Sequence, residues 1–567
     1  MRAPFHAALA TALLTTLAVA NPDIPAPARS EYDKAEIARE EGRLEEASGG
    51  YRKAIELHPR YYAAHAGYLA SLRGLGDLSQ AHALYGKLVS QLPNSFEIKA
   101  FQAAALDPPE AVAALQRLAS ANAGNARVQL ELGRALLHVG NPRDAEKSLK
   151  ATLKLNADLP VARVLLGDVY FQKNQMVRAR KEYETALDID SAYIPAHLRL
   201  ALAWHGSKKP EAALKILGTL VSEDNLPRLV AGHWLLAGIR IDLEKYDDAI
   251  KSMDRILDID KDDFQALIAK GQILLVQRKP MAAAAIFAKA AEQRADSSLA
   301  LFCLGWAYEM GADAPEVEDA QMKERLAKAA EAYEKCANVD PTVRPRDSLG
   351  FVYLLSQKHG EAVTQFKRAK DIDPKFAAAM NNLGLASDIA DNRAEAKRRY
   401  EHVLSRIDKK NVRARVMLAL DLWLDGSASK AVKELDKALK IAPEDDLAWT
   451  FLGDIHYDNK KVDRAIKAYK KAVAAREQNF YAWYHMGIAY DDDKRKYEEA
   501  ERCYEKAHQA RVDPPADLFL RLGEINDVEV LDRPEKALQY YQAYIDAGGD
   551  KEWVPARIEE LKELLAK

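Results

Sequence analysis

LGDVYFQKNQMVRARKEYETALDID, residues Leu166–Asp190, is matched near the other end of the chain by LGDIHYDNKKVDRAIKAYKKAVAA, residues Leu452–Ala475. The shared Leu-Gly-Asp has two interpretations. It is either an active-site signature that carries a reactive carboxylate, or a structural joint that is used twice. The rest of the sequence favours the joint.

The joint recurs with a period of about 34 residues, which is a repeat signature. Gly42 and Gly76 are 34 residues apart, as are Tyr51 and Tyr85. A Leu or Met followed by Gly or Ala recurs at Leu132-Gly133, Leu166-Gly167, Leu200-Ala201, Leu236-Ala237, Leu304-Gly305, Leu349-Gly350, Leu383-Gly384, Leu418-Ala419, Leu452-Gly453, Met486-Gly487 and Leu522-Gly523. A small Ala follows about twelve residues later, and an aromatic or large apolar residue four residues after that. These spacings place the residues on one face of each of two amphipathic helices.

Glycines and prolines punctuate the repeats. Between the two helices of a repeat we expect a turn with positive φ at Gly42, Gly76, Gly140 and Gly426. Proline cannot continue a helix, so we expect the second helix to stop before Pro59, Pro93, Pro341, Pro374 and Pro443.

This pattern resembles the tetratricopeptide repeat. The resemblance implies an all-α fold, a right-handed α-solenoid of about fifteen helix-turn-helix repeats between roughly Ala28 and Gly549. One repeat, at 94–124, is short and lacks the Leu-Gly pair, and an acidic insert at 311–325 is expected to bulge from its turn. The predicted organisation is a signal peptide at 1–20, a proline-rich spacer at 21–30, N-terminal repeats at 31–125, a main array at 126–549 with the insert near 310–325, and a capping helix at 550–567.

The amino terminus predicts export. Arg2 precedes an apolar stretch at Ala7–Ala20 that is too short to span a bilayer and ends in Ala18-Val19-Ala20, as signal peptidase requires. We therefore expect an exported protein, in the periplasm if the signal is bacterial. The alternative is a cytoplasmic protein with an alanine-rich first helix.

Composition and motifs argue against chemistry in the array. The net charge of −3 gives no overall basic field for nucleic acid. Cys303, Cys336 and Cys503 form no CxxC pair, and the acids of Asp258–Asp263 lack the glycine and glutamate that a calcium loop needs. His65, His197 and His233 occupy a place in the repeat that Trp449 and Trp483 share, which indicates helix packing. We predict no catalysis, no metal and no cofactor.

The predicted function is therefore partner binding. In tetratricopeptide proteins the first helix of each repeat lines a groove, and its matching places here are Leu198, Leu202, Trp234, Phe302, Trp306, Phe351, Tyr457, Tyr481 and Tyr484. Asp168 and Asp454 fall on variable places of the same surface. We expect a non-catalytic scaffold that binds peptide segments of other proteins in a cell-envelope assembly, with no nucleic-acid partner and no membrane-spanning segment in the mature chain. The alternative is an accessory subunit that presents substrate or polysaccharide to a separate enzyme or export machine.

Overall fold

The computed structural model describes residues 24–222, 224–313, 317–493, 495–511 and 514–566. Those residues form 31 helices and no strand, which is the number that fifteen two-helix repeats and one cap predict. The expectation of an all-α solenoid is confirmed. The predicted signal peptide at 1–20 lies outside the described residues.

The chain divides into two compact units, an N-terminal unit at 1–278 and a C-terminal unit at 279–567. The described helices of the N-terminal unit are α1 (Ala26–Glu40), α2 (Leu44–Leu57), α3 (Tyr62–Leu75), α4 (Ser79–Gln91), α5 (Phe96–Ala104), α6 (Pro108–Ala121), α7 (Ala126–His138), α8 (Pro142–Leu155), α9 (Pro160–Gln172), α10 (Met176–Ile189), α11 (Ile194–Gly206), α12 (Pro210–Leu220), α13 (Val230–Asp242), α14 (Tyr246–Ile259) and α15 (Phe264–Val276).

The C-terminal unit begins with a second helix of a repeat and ends with the cap. Its helices are α16 (Pro280–Gln293), α17 (Ser298–Ala312), α18 (Asp319–Val339), α19 (Val343–Leu355), α20 (His359–Ile372), α21 (Ala377–Ile389), α22 (Arg393–His402, continued by a π-turn at Val403–Ile407), α23 (Val412–Leu424), α24 (Ala428–Ile441), α25 (Asp446–Asp458), α26 (Val462–Ala475), α27 (Phe480–Ile488, continued by a π-turn at Ala489–Asp493), α28 (Tyr497–Ala510), α29 (Ala516–Asn526), α30 (Pro534–Asp546) and α31 (Val554–Leu565). Odd-numbered helices up to α29 are the first helices of repeats, and even-numbered helices are the second.

The glycine of the Leu-Gly pair makes room for a ring on the second helix. A Cβ atom added at Gly167 would lie 2.4 Å from Cε1 of the buried Tyr183. The same close approach occurs at Gly305 with Tyr333, Gly350 with Phe366, Gly384 with Tyr400, Gly453 with Tyr469, Gly487 with Tyr504 and Gly523 with Tyr541. Where alanine takes the glycine's place, its buried neighbour is aliphatic, as in Ala201 with Leu217, Ala237 with Met253 and Ala419 with Leu435. Gly133 is an exception, because it closely approaches the aliphatic Leu149. In the other repeats compared, a ring on the second helix faces glycine and an unbranched or aliphatic side chain faces alanine.

The predicted turns and stops are confirmed. Gly42, Gly76, Gly140 and Gly426 have φ between 74° and 78°. Pro59 follows the end of α2 by two residues, and the other four predicted prolines stand in the same relation to α4, α18, α20 and α24. Nine repeats use a non-glycine residue with positive φ at the turn, as at Glu244 and Lys460.

Two predicted irregular segments are partly helical, which corrects the sequence-based interpretation. Helix α1 begins at Ala26, so residues 26–30 of the expected spacer are helical, because a proline in the first turn loses no hydrogen bond. Residues 319–325 of the insert do not bulge from the turn. They lengthen α18 to 21 residues, since DAQMKER consists mostly of strong helix formers.

Two places in the array, the short third repeat and the cap, depart from the standard repeat. Helix α5 of the short repeat has only nine residues, and it nevertheless packs between α4 and α6. In the cap, α31 buries Val554, Ile558 and Leu561 of its predicted apolar face, whereas Leu565 at its end is exposed.

Candidate partner-binding surfaces

The nine predicted groove residues fall in both compact units. Leu198, Leu202 and Trp234 belong to the N-terminal unit and the other six to the C-terminal unit. Leu198 and Trp234 are only 1% and 5% exposed, so neither is an open groove position. Leu202 is half-buried and lines a cavity.

A long-range seam lies beside Leu198 and Trp234 inside the N-terminal unit. Glu41, at the turn between α1 and α2, forms an ion pair with Arg228, which precedes α13. Gly42 of the same turn approaches Val230, and a Cβ atom at Gly42 would lie 3.7 Å from Val230 Cγ1. Only a small cavity of about 200 Å³ remains at the seam, lined partly by Leu198 and Trp234. The first repeat therefore covers the inner face of α11 and α13.

A larger cavity of about 910 Å³ lies within the same unit. Its charged lining includes Arg73 on α3, Glu131 and Arg134 on α7, Asp168 on α9 and Arg199 on α11. Arg73 donates through Nη2 to the carbonyl oxygen of Ala104 at 2.7 Å, which satisfies the end of the short helix α5. Burial lowers the pKa of Arg73, and repulsion from Arg134 lowers it further.

Carboxylates on the first helix of a repeat fix the buried tyrosines. Tyr183 donates its hydroxyl hydrogen to Asp168 Oδ1 at 2.8 Å, and Tyr469 donates to Asp454 Oδ1 at 2.7 Å. Equivalent pairs are Tyr51 with Glu36, Tyr333 with Glu309, Tyr400 with Asp388, Tyr504 with Asp491 and Tyr541 with Asp527.

The next repeat, or the cap after the last one, often supplies a basic side chain to the same carboxylate. Arg199 lies 2.8 Å from Asp168, and His485 Nδ1 lies 2.7 Å from Asp454 Oδ1. Arg521 and Arg557 stand in the same relation to Asp491 and Asp527. Asp168 and Asp454 were expected to be variable positions of a binding surface. The structure gives these carboxylates a structural role instead, because both are paired within the array and link one repeat to the next.

The shared His and Trp positions are packing positions, as expected, and the structure supplies the reason. In each of them, one ring nitrogen (Nε2 of histidine or Nε1 of tryptophan) forms a hydrogen bond with the backbone carbonyl oxygen six residues earlier in the chain. The pairs are His65 with Pro59, His197 with Ser191, His233 with Pro227, Trp449 with Pro443 and Trp483 with Glu477, at 2.7–2.9 Å. Burial lowers the pKa of His65 to about 4, which keeps that ring neutral at pH 7.

The C-terminal unit carries the more exposed predicted residues. Trp306 on α17 is 45% exposed and Tyr481 on α27 is 58% exposed. Phe302, Phe351, Tyr457 and Tyr484 are half-buried. Tyr484 stacks on Phe480, with ring centroids 5.6 Å apart, and donates its hydroxyl hydrogen to Asp517.

An aliphatic stripe that sequence reasoning missed also lies in this unit. It consists of Leu355, Ile389 and Leu424, which end α19, α21 and α23 and are 44%, 48% and 56% exposed. These consecutive first helices contact one another, so the three side chains recur at equivalent places of adjacent repeats. Their spacing of 34 and 35 residues was the signal that could have identified them.

The described residues offer no obvious metal or redox chemistry. Among them, no group of three or more His, Cys, Asp or Glu side chains is placed to hold a metal ion. Cys336 and Cys503 are buried, and burial raises their pKa values to about 11 and about 12, which disfavours the reactive thiolate. Within the same described ranges, no helix has the length and apolar character needed to cross a bilayer.

Comparison with known proteins identifies the repeats. A family model described as tetratricopeptide repeat matches residues 130–194 and 416–480, and a second model of that description matches 480–510. The chain is a tetratricopeptide-repeat protein. The matched segments include both copies of Leu-Gly-Asp, so that motif belongs to the repeat.

The curated relatives are larger than this tetratricopeptide-repeat chain. Human protein O-mannosyl-transferase TMTC1 is 25% identical over 215 residues, which cover 37% of this chain and 23% of the relative. The probable UDP-N-acetylglucosamine–peptide N-acetylglucosaminyltransferase SPINDLY of Hordeum vulgare is 27% identical over 149 residues, which cover 25% of this chain and 14% of the relative. The chain thus spans less than a quarter of the length of either protein.

Solved structures with similar arrangements include two assemblies of helical repeats. Yeast Tom70 matches with a TM-score of 0.41 and 15% identity, over 77% of this chain and 95% of its own. The Cut9–Hcn1 hetero-tetramer of the APC/C matches with a TM-score of 0.38 and 14% identity, over 95% of this chain and 96% of its own.

Proposed function

We propose that this tetratricopeptide-repeat protein is a non-catalytic scaffold that binds apolar peptide segments of partner proteins on its C-terminal unit. The observation that carries the proposal is the aliphatic stripe Leu355, Ile389 and Leu424. Large apolar side chains at equivalent places of adjacent repeats form a continuous surface, and such a surface is costly in water unless a partner covers it. A peptide that lies along the repeats would bury all three side chains.

Exposed aromatic residues of the same unit support the proposal. Trp306 and Tyr481 present large rings to solvent on first helices of their repeats. Aromatic side chains dominate the binding energy of protein interfaces because they bury a large area with few rotatable bonds.

The stripe has a matched control within the same unit. Val339, Ile372 and Ile441 end the second helices α18, α20 and α24, and they are 44%, 45% and 41% exposed. Serine at all three stripe positions removes the apolar surface of the first helices, and serine at the three control positions removes a similar area from the second helices. Both triple variants should fold, because all six side chains are exposed.

The test is partner capture by crosslinking from the native source with the full chain. The stripe variant should lose partners that the wild type and the control variant both retain. Equal partner sets for all three proteins, or a loss confined to the control variant, would remove the stripe from the function.

A second candidate function follows from the curated relatives, whose names are those of glycosyltransferases. In it, the array presents a protein or polysaccharide substrate to a separate enzyme. Sugar transfer from a nucleotide sugar, measured with the purified chain alone and with its captured partners, distinguishes the scaffold from the accessory subunit. Transfer that requires both components supports the accessory subunit, whereas transfer by the chain alone contradicts a non-catalytic role.

We further propose that the protein works outside the cytoplasm, in the periplasm of a bacterial source and in a cell-envelope assembly. The stretch Ala7–Ala20 and the residues Ala18-Val19-Ala20 support cleavage before Asn21. Terminal sequencing of the mature protein should start at Asn21. A start at Met1 in a cytoplasmic fraction would contradict export.

A further inference from the structure

The large cavity of the N-terminal unit exists because the short repeat lacks material that other repeats have. Helix α5 ends at Ala104 after nine residues, whereas α3 and α7 on either side have fourteen and thirteen. The missing turn leaves a gap between α3 and α7, which is lined by Leu106 and Ala111 of the following segment. The 910 Å³ space is therefore bounded by five first helices and the turn after α5.

The buried and half-buried charges that line the gap include one more arginine than acid. They are Arg73, Arg134 and Arg199 against Glu131 and Asp168. Glu131 is 2% exposed and acts on both Arg73 and Arg134. Arg127 on α7 is half-buried, does not line the cavity, and is near both Glu131 and Glu97. Asp107 also lines the cavity, but it is exposed to solvent.

The remaining charges of the wall compensate each other. Asp168 is paired with Arg199 at 2.8 Å and accepts the Tyr183 hydroxyl hydrogen bond. That pair leaves the excess positive charge on the side of α3 and α7.

Arg134 has two side-chain donor groups without an acceptor, whereas Glu131 beside it has one oxygen, Oε1, without a donor, among the residues that the structure describes. Its side chain is 12% exposed, and its Nε lies 3.2 Å from Glu131 Oε2. Within the described part of the chain, neither Nε–H nor Nη2 has an aligned hydrogen-bond acceptor. A buried charge is stable only when it is paired and its hydrogen-bonding groups are satisfied. The arrangement therefore favours an additional anion.

The rest of the lining defines what else the ligand must carry. Leu78, Leu137, Leu165, Phe171 and Leu202 supply apolar surface next to the arginines. The volume falls in the range of about 300–1,000 Å³ that is typical of pockets for small molecules. We propose that this cavity binds a small organic anion with an apolar body, whose carboxylate or phosphate group pairs with Arg73 and Arg134. This site is separate from the stripe of the C-terminal unit.

Two fluorescent probes with the same apolar body test the proposal on the full chain. Anilinonaphthalene sulfonate carries an anionic group, and phenylnaphthylamine lacks it. The anionic probe should bind saturably at one site and at least about tenfold more tightly than the neutral probe, the factor that about 1.4 kcal/mol of charge pairing supplies. Decanoate and decyl phosphate should displace it, and their relative potency distinguishes a carboxylate from a phosphate ligand.

Arg134→Met should weaken binding of the anionic probe about tenfold and leave binding of the neutral probe unchanged. Arg163→Met is the matched control, because Arg163 is also a partly buried arginine of a first helix, pairs with Glu182 at 3.2 Å and does not line the cavity. If Arg134→Met fails to fold, Arg134→Met combined with Glu131→Gln removes both members of the ion pair and should give the same loss. Leu202→Glu, which places a carboxylate in the cavity lining, should weaken binding of the anionic probe more than binding of the neutral probe.

Three outcomes would overturn the proposal. They are equal affinity for the anionic and neutral probes, a loss in Arg163→Met as large as that in Arg134→Met, and unchanged binding of the anionic probe in Leu202→Glu. The stripe variant of the C-terminal unit should bind the anionic probe like the wild type, so the two sites are tested independently.

Discussion

The pairing between Gly167 and Tyr183 predicts the effect of a single methyl group. In Gly167→Ala the new Cβ would lie 2.4, 2.7 and 2.9 Å from three atoms of the Tyr183 ring. The ring cannot move freely, because Tyr183 is fully buried and its hydroxyl group is bonded to Asp168. Overpacking of this kind costs about 1–3 kcal/mol. Loss of the hydrogen bond to a carboxylate would add about 1.5–3 kcal/mol.

Helix propensity acts in the opposite direction and is smaller. Alanine in a helix interior is more stable than glycine by about 0.5–1 kcal/mol. We therefore expect Gly167→Ala to lower the free energy of unfolding by about 2 kcal/mol. Gly238→Ala is the matched control, because Gly238 lies inside α13 and a Cβ there would meet no atom within 4 Å. The control should raise the free energy of unfolding by about 0.5–1 kcal/mol.

The assay is a double-mutant cycle with Tyr183→Leu, which reproduces the alanine–leucine pairing seen at Ala201 and Leu217. In the Tyr183→Leu background, Gly167→Ala should cost little or become stabilising, which corresponds to a coupling of about 2 kcal/mol. Urea denaturation measures the free energy of global unfolding. Hydrogen exchange in α9 and α10 measures the free energy of local unfolding, which is needed because long repeat arrays need not unfold in one step. Equal effects of Gly167→Ala in both backgrounds would refute the steric explanation.

Three further predictions concern the turn, a buried carboxyl pair and the seam. Glu244→Gly should raise the free energy of unfolding by about 1 kcal/mol, because Glu244 has φ +58°, a conformation that is unfavourable for a residue with a Cβ atom. Gly76→Ala, at φ +74°, should lower the free energy of unfolding by a similar amount. Burial and the neighbouring Asp388 raise the pKa of Asp421 to about 7, so the folded chain holds a proton that the unfolded chain releases near pH 4. The free energy of unfolding should therefore fall as the pH rises from about 4 to 7. In urea denaturation, Asp421→Asn should lose most of this pH dependence, whereas Asp425→Asn should keep it. Trp234→Ala should lower the free energy of unfolding in urea by about 3–5 kcal/mol, because its ring is buried beside the seam against Ala249 and Met253. Trp306→Ala should cost far less, because that ring is exposed, and equal costs would contradict this difference in burial.

The repeat itself was predictable because it depends on contacts between residues close in sequence. Gly167 and Tyr183 are 16 residues apart, and the same spacing recurs at Gly453 and Tyr469. Each repeat confirms the others, so the helices, the positive φ at Gly76 and the stop before Pro59 follow from the pattern alone. The role of Asp168 did not follow, since its partner Arg199 belongs to the next repeat and the two share no fixed motif.

Exposure of the groove residues could not be predicted from register. Leu198, Trp234, Phe302 and Tyr484 all stand three residues before the small residue of their repeats. The first two are buried and the last two are half-buried. Leu130, Val164 and Val416 at the same position are also buried, so this position is usually buried and the more open places at Phe302 and Tyr484 depend on what packs against them locally. The seam adds a contact that no repeat pattern encodes, since Glu41 is 187 residues from its partner Arg228.

Contacts across that distance depend on the accumulated rotation of successive repeats, and a single short helix such as α5 changes that rotation. The short repeat at 94–124 was visible in the sequence, but its consequence was not. Its missing turn leaves room for a cavity between helices α3 and α7, whose arginines come from two different repeats. A position that reads as groove in the sequence thus becomes a seam, a cavity wall or an open surface according to what the neighbouring repeats place against it. Enclosed pockets in such an array are therefore to be sought where the period is broken, as at α5, whereas extended surfaces such as the stripe follow the regular repeats.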